Sequence, residues 1–105
     1  MRLISYRSNS HTGVGVMTTD TDFIELPKVA PNLPTKLVDI LSMPNGMEEV
    51  AKAIEGASAT ANFSDVELDP VIPEPHAIWA LALNFKTHIA ETGLTTSPDF
   101  PHVFL

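Results

Sequence analysis

Alternating hydrophobic and polar residues open the chain and predict β-strands. The stretches "MRLISY" at 1–6 and "GVGVMT" at 13–18 both have the two-residue period of a strand, and in the second the valines share one face and the glycines the other. The turn-forming residues "TDTD" at 19–22 precede "FIEL" at 23–26, which is expected to return beside the second strand. The pattern predicts a small antiparallel meander.

Helical spacing replaces the alternation after a group of prolines. The prolines of "LPKVAPNLP" at 26–34 are expected to end the meander. In "PTKLVDILSM" at 34–43, Leu37, Ile40 and Leu41 fall on one helical face, and a proline stands at the position where helices commonly begin. A short helix is predicted here.

A second helix is predicted over "MEEVAKAIEGA" at 47–57. Glu48 and Lys52 have the spacing of a favourable ion pair, and Gly56 is a plausible C-terminal stop. The residues expected to face inward are Met47, Val50, Ala51 and Ile54.

Acidic residues and prolines mark the end of a first domain. In "FSDVELDPVIPEP" at 63–75, apolar residues alternate with acids, which predicts an edge strand running into a linker. We therefore expect a small N-terminal domain over 1–72 and the start of a second domain over 73–105.

The second domain opens on an almost unbroken apolar run at 77–83, the pattern of a strand buried on both faces, with Trp79 expected in the core. A further strand-like run, "SPDFPHVFL" at 97–105, follows. Since a doubly buried strand needs neighbours on both sides, the chain is expected to be the front part of a longer protein.

Composition narrows the class of protein. The chain has 44% hydrophobic and 18% charged residues, which is typical of a folded globular protein. Its formal net charge of -7 opposes binding to nucleic acid or anionic lipid. No segment has the length of a spanning helix or signal peptide, so a soluble, cytoplasmic protein without a membrane partner is expected. The absence of cysteine excludes disulfides and thiolate chemistry.

"NFKTHIAETG" at 84–93 carries the candidate chemistry. His88 and Glu91 are three residues apart, so on a helical turn they point the same way, and a carboxylate that orients one imidazole nitrogen raises the basicity of the other. Such a pair suits a general base acting on water. The alternative is a solvent-exposed polar turn. Asn84 is either a helix cap or a substrate-facing amide at a strand end.

No metal site is expected within this chain. No two of the four histidines have zinc-motif spacing; besides His88 they are His11, His76 and His102. Asp20 and Asp22 lie in the predicted turn, and Glu67 and Asp69 lie on the outward face of the predicted edge strand, where carboxylates are ordinary solvated residues.

Taken together, "PEPHAIWALALNFKTHIAETG" followed by "SPDFPHVFL" resembles the start of the catalytic domain in the fumarylacetoacetate hydrolase family. There a proline-rich linker leads to a buried strand, an Asn-Tyr step, a His-x-x-Glu turn and a proline-containing stretch ending in Phe-Leu. The resemblance covers about residues 70–105, and the residues before it look like the small N-terminal domain of many bacterial members. It implies an α+β fold: antiparallel strands with two short helices, then the opening strand and lid turn of a β-rich catalytic domain.

The resemblance also implies a function. Members are metal-dependent enzymes, usually with Mg or Mn, that act on 2-oxo or β-diketo acids by C–C bond hydrolysis, hydration, isomerisation or decarboxylation, and they are usually homodimers. By resemblance His88 activates water and Glu91 orients it, on a turn that belongs to a mobile lid.

Two departures from the family pattern lie close to the pair of His88 and Glu91, called the dyad below. Phe85 replaces the usual Tyr, and Ala82 replaces the usual Gly. In the family the metal ligands are a Glu-x-Glu pair and an Asp that follow the dyad by tens of residues, so we expect them outside this chain and expect the isolated chain to be inactive. The alternative function is a non-catalytic binding or oligomerisation module, formed through the apolar runs after residue 73.

Overall fold

The computed structural model describes residues 1–93 and 99–105, and confirms the predicted mixture of α-helices and β-strands. The chain divides into two compact units, Met1–Pro73 and Glu74–Leu105. The strands are β1 (Leu3–Arg7), β2 (Thr12–Met17), β3 (Asp22–Glu25), β4 (Ala61–Asn62), β5 (Glu67–Asp69), β6 (Ala80–Ala82) and β7 (His102–Phe104). The helices are α1 (Leu26–Val29), α2 (Leu37–Ser42), α3 (Gly46–Ala53) and α4 (Lys86–Glu91).

A five-stranded antiparallel sheet organises the first unit. Its strand order is β4-β3-β2-β1-β5, so the predicted meander of the first three strands is confirmed and β5 is an edge strand as expected. Residues Phe63–Asp65 form a 3-10 turn and not the start of the strand. The cause is a capping box, in which the Asn62 side chain accepts from the Ser64 N–H and Asp65 accepts from the Asn62 N–H, both at 3.0 Å.

The two faces of β2 pack against different partners, as its alternation predicted. Val14 and Val16 belong to an apolar core shared with the helices, completed by Leu26, Ala30, Leu33, Leu37, Ile40 and Val50. On the opposite face the glycines leave room for aromatic rings. A Cβ at Gly15 would lie 2.5 Å from the Phe23 ring, and the Tyr6 and Phe23 ring centroids are 5.1 Å apart.

Helix α1 was not predicted, because Pro27 indicated only the end of the meander. In the structure this proline lies in the first turn of α1, where its missing N–H is not needed, so Leu26 belongs to the helix and not to the third strand. The predicted helices α2 and α3 are present, and three inward assignments were wrong. The side chains that are exposed instead are those of Leu41, Met47 and Ala51.

The register of α3 explains two of those errors. Gly46 and Val50 are buried and Ala53 and Ile54 pack against the core, so the predicted Val50 and Ile54 do face inward, and Gly46 and Ala53 take the places predicted for Met47 and Ala51. The close approach occurs at Gly46, where a Cβ would lie 1.9 Å from the Ile40 carbonyl oxygen. In the same helix Lys52 pairs with Glu49 at 3.1 Å, not with Glu48 as predicted.

The second unit contains a two-stranded antiparallel sheet, β6 with β7, and helix α4. The expectation of a strand buried on both faces over 77–83 was wrong. Strand β6 has three residues, and Ile78, Trp79 and Leu81 are 70%, 71% and 53% exposed. Within the described part of this unit, one neighbouring strand and one short helix supply too little cover for an apolar core. Strand β7 lies in the predicted run at 97–105, of which residues 97 and 98 are outside the described ranges.

Candidate functional site

Helix α4 carries the predicted pair of His88 and Glu91. Ile89 is buried, and Thr92 closes the end of the helix by donating its hydroxyl to the Ile89 carbonyl at 2.7 Å. The two polar side chains project on the exposed side, with His88 Nδ1 3.8 Å from Glu91 Oε2. Their side chains are 56% and 76% exposed.

A separation of 3.8 Å is longer than a hydrogen bond, so the two groups are neighbours that form an ion pair when the imidazole is protonated. A small rotation about the side-chain bonds would bring Glu91 within hydrogen-bonding distance of Nδ1, and catalytic hydrogen bonds commonly tighten when substrate binds. The arrangement therefore has the components of a base and its orienting carboxylate, on a surface open to water.

The connection between β6 and α4 contains an unusual backbone conformation. Leu83 has φ of 56°, in the left-handed region that costs a residue with a Cβ about 1 kcal/mol or more. The resemblance leads us to expect glycine one residue earlier, at Ala82, which does not have a positive φ. Asn84 follows Leu83 and is exposed, and the N-cap of α4 is Phe85 without a side-chain capping bond. The interpretation of Asn84 as the helix cap was therefore wrong.

A buried carboxylate in the first unit was missed by sequence reasoning. Glu25 is 3% exposed, and its side chain accepts hydrogen bonds from Tyr6 Oη at 3.2 Å and from Thr60 Oγ1 at 3.1 Å. Lys28 Nζ pairs with the same carboxylate. Every contact is with a different segment of the unit, so the carboxylate ties β1, β3, α1 and the approach to β4 together.

The strand pattern contained the signal for this cluster. Glu25 stands two residues after Phe23 on β3, so both side chains occur on the same sheet face. Tyr6 faces Gly13 across the β1–β2 pair, and a Cβ at Gly13 would lie 2.9 Å from Tyr6 Oη. An acid at an inward strand position, with a tyrosine and a glycine opposite, is the combination that could have identified the site.

The surroundings of Glu25 fix its protonation state. Burial alone would raise the pKa of its carboxyl, but the hydrogen bonds from Lys28, Thr60 and Tyr6 and the charge of Lys28 outweigh burial and lower the pKa below its usual range. Burial, followed by the negative charge of Glu25 and the hydrogen bond to it, raises the pKa of the Tyr6 phenol. At neutral pH the pair is a carboxylate accepting from a neutral phenol.

His11 extends the cluster to the surface. Its Nε2 lies 3.3 Å from Tyr6 Oη and 3.5 Å from Glu25 Oε1, and its ring meets the Tyr6 ring edge-on. Its Nδ1 lies 2.9 Å from Ser10 Oγ and 3.0 Å from Ser8 Oγ. Both ring nitrogens therefore have polar partners. The partners of Nε2 are buried, and those of Nδ1 are exposed.

The two closely spaced carboxylate pairs noted in the sequence, Asp20 with Asp22 and Glu67 with Asp69, contact side chains of the first unit. Arg7 lies 3.1 Å from Glu67 and 3.2 Å from Asp69, and because the Asp69 side chain is only 14% exposed, its assignment as a solvated residue was wrong. Asp20 pairs with Arg2 at 3.2 Å, and Asp22 accepts from Asn62 at 2.7 Å. Within residues 1–93 and 99–105 no three His, Asp or Glu side chains come together as metal ligands.

No protein-family model matches this chain, and no curated protein is significantly similar to it. In the ranges that the structure describes, no helix reaches the length and hydropathy of a transmembrane segment.

Proposed function

We propose that this chain is the N-terminal part of a metal-dependent enzyme of the fumarylacetoacetate hydrolase type that acts on 2-oxo or β-diketo acids. The observation that carries the proposal is the placement of His88 and Glu91 on the exposed side of α4, 3.8 Å apart, immediately after strand β6. This is the order of strand, Asn step and His-x-x-Glu turn on which the family resemblance rests.

In this proposal Glu91 accepts a hydrogen bond from His88 Nδ1–H, which leaves Nε2 as the base. Nε2 takes a proton from water, and the resulting hydroxide adds to a substrate carbonyl carbon. The C–C bond then breaks, its electron pair leaves on the departing fragment as an enolate, and that enolate takes up the proton held on Nε2. A bound Mg or Mn would polarise the oxo-acid oxygens and stabilise the enolate. The described residues do not fit a metal, since no three potential ligands meet among them. By the family resemblance, the proposed ligands are a Glu-x-Glu pair and an Asp that follow His88 and Glu91 by tens of residues.

Backbone strain next to the dyad supports a functional role for this segment. Left-handed residues with a Cβ persist where the surrounding structure holds them, and they concentrate at catalytic and ligand-binding sites. Leu83 is such a residue, and Asn84, the proposed substrate-facing amide, comes directly after it.

Activity assays on two proteins test the proposal. The native protein that contains this sequence should release pyruvate from an acylpyruvate only when Mg or Mn is present, and residues 1–105 alone should release none. Metal-dependent hydrolysis by residues 1–105 alone would contradict the assignment of the ligands to another segment. Absence of turnover by the native protein across a panel of acylpyruvates and other 2-oxo acids would contradict the enzymatic assignment.

A second candidate function, a non-catalytic oligomerisation module, is favoured by one observation. In the β6–β7 register Leu81 faces Val103, and these two side chains are 53% and 51% exposed on one sheet face. An exposed apolar sheet face is suited to association with another chain. Sedimentation velocity distinguishes the two functions, because a discrete, stable dimer of residues 1–105 favours the module, whereas aggregation of residues 1–105 favours the enzyme fragment.

A further inference from the structure

The loop between β1 and β2 places two serine hydroxyls against the exposed nitrogen of His11. Ser8 Oγ and Ser10 Oγ lie 3.0 Å and 2.9 Å from His11 Nδ1. The other nitrogen of the ring faces the buried Tyr6 and Glu25. A serine, an imidazole and a buried carboxylate are the components of a nucleophile with an activating base.

The hydrogen bonds of this cluster favour one tautomer of His11. Tyr6 Oη donates its proton to Glu25 Oε1 at 3.2 Å. The lone pairs of Tyr6 Oη can therefore accept a hydrogen bond from His11 Nε2–H at 3.3 Å. With its proton on Nε2, the ring has a lone pair on Nδ1 and can accept a proton from a serine. The Glu25 carboxylate, 3.5 Å from Nε2, would stabilise the imidazolium that forms.

Ser8 is distinguished from Ser10 by its surroundings. It lines an open cavity of about 300 Å³ together with Arg7, Asn9 and Ser64. Its Oγ also accepts from the backbone N–H groups of Ser10 and His11 at 3.4 and 3.3 Å, which would stabilise negative charge on the oxygen. For its own proton the nearest acceptor is His11 Nδ1, with the His11 carbonyl slightly farther away at 3.2 Å.

We propose that Ser8 and His11 form a second, ester-cleaving site in the first unit. Ser8 Oγ bonds to the ester carbonyl carbon as its proton passes to His11 Nδ1. The bond to the alcohol oxygen then breaks, and the alcohol leaves with that proton. Water attacks the acyl-serine with His11 as the base, which releases the carboxylic acid and restores Ser8. Tyr6 and Glu25 are positioning residues, since they act through His11.

Charge on the cavity wall defines the substrate class. Asp65, Glu67 and Arg7 line the cavity, and the Arg7 guanidinium is already paired with Glu67 and Asp69. The wall therefore repels an anionic substrate and admits a small ester that is neutral or cationic. Arg7 and Asn9 also line the cavity, and both have N–H groups of the kind that stabilise a developing oxyanion.

The unaltered chain provides the first test, with p-nitrophenyl acetate as the neutral probe. Peptide mapping by mass spectrometry should find acetyl on Ser8, formed at least about tenfold faster than on Ser42, a serine outside this cluster. Acetyl on lysine side chains alone, or on Ser10 in place of Ser8, would overturn the proposal. Because no substitution is involved, this measurement does not depend on the folding of a variant.

Substitutions then test the base. His11→Asn should slow acetylation of Ser8 by about 10²-fold or more, the usual effect of losing a positioned base. Ser42→Ala is the control and should leave the rate of Ser8 acetylation within about twofold, since Ser42 donates to the Val38 carbonyl and lies outside the cluster. Tyr6→Phe should slow acetylation and shift the dependence of rate on pH, because the His11 ring loses the hydroxyl that holds its proton on Nε2. An unchanged rate in His11→Asn would refute the site.

Discussion

Tyr6 Oη donates a hydrogen bond to Glu25 Oε1 at 3.2 Å, and the two residues are only 1% and 3% exposed. Buried charges persist in proteins when hydrogen bonds and an opposite charge compensate for lost hydration. Here Thr60 and Lys28 complete that compensation. The pair therefore links β1 to the end of β3 at the point where α1 begins.

Removing the hydroxyl of Tyr6 tests this link. In Tyr6→Phe the ring keeps its packing against Phe23, with centroids 5.1 Å apart, while Glu25 loses one donor. The free energy of unfolding should fall by about 1.5–3 kcal/mol, the usual contribution of a hydrogen bond to a charged group. Urea unfolding followed by circular dichroism measures the change, and an unaltered midpoint would show that the bond contributes nothing.

The charge of Lys28 should matter more than that of another surface lysine. Lys28→Met leaves Glu25 without its cation and should cost about 1.5–3 kcal/mol at neutral pH. Lys52→Met is the matched control, since Lys52 pairs at 3.1 Å with the exposed Glu49, and it should cost less than about 1 kcal/mol. Equal losses would contradict the assignment of Lys28 as partner of a buried charge.

The same variant should change the response to acid. Because the pKa of Glu25 is lowered in the folded protein, the unfolded chain binds more protons, and stability is lost as pH falls below the ordinary value of 4.5. Without Lys28 that lowering diminishes, so Lys28→Met should lose less stability than the native chain between neutral pH and the acid range. Unfolding curves at a series of pH values give both slopes, and parallel slopes would contradict the prediction.

Two glycines should respond differently to alanine. Gly46→Ala places a Cβ 1.9 Å from the Ile40 carbonyl oxygen, so α2 and α3 must separate, at a cost on the order of 3 kcal/mol or more. Gly56 has φ of 72° and open space around it, so Gly56→Ala should cost only about 1–2 kcal/mol of backbone strain. Thermal unfolding of the two variants should show the larger shift for Gly46→Ala, and the reverse order would refute the close approach.

The fluorescence of Trp79 reports how far the second unit is exposed to solvent. It is the only tryptophan in residues 1–105 and is 71% exposed, so its fluorescence should resemble that of tryptophan in water and be quenched freely by acrylamide. A blue-shifted emission that acrylamide quenches poorly would contradict the exposed placement of Trp79.

The sequence predicted the sheet of the first unit correctly, but it did not predict the exposure of the apolar run in the second unit. Alternation around Val14 and Val16 predicted the sheet, because one face must be apolar to bury the core. The same reasoning failed for Trp79. An apolar run indicates that a strand should be buried, but it does not show whether neighbouring elements are present to bury it.

One candidate site could be predicted from the sequence, and the other could not. The positions of His88 and Glu91 on one side of a helix followed from local spacing, which the chain itself fixes. The cluster around Glu25 depends on Tyr6 and Thr60, which lie 19 and 35 residues away along the chain. Such long-range partners follow from sheet register, which a single sequence does not specify pair by pair.

The most direct test of the proposed function is His88→Ala in the native protein that contains this sequence, assayed for acylpyruvate hydrolysis with Mg or Mn. If His88 is the base, kcat should fall by about 10²-fold or more while the metal requirement is unchanged. The control is Thr87→Ala, which alters the preceding exposed residue of α4 and should keep the native rate. Native turnover in His88→Ala would contradict the central claim and leave α4 as an ordinary polar helix.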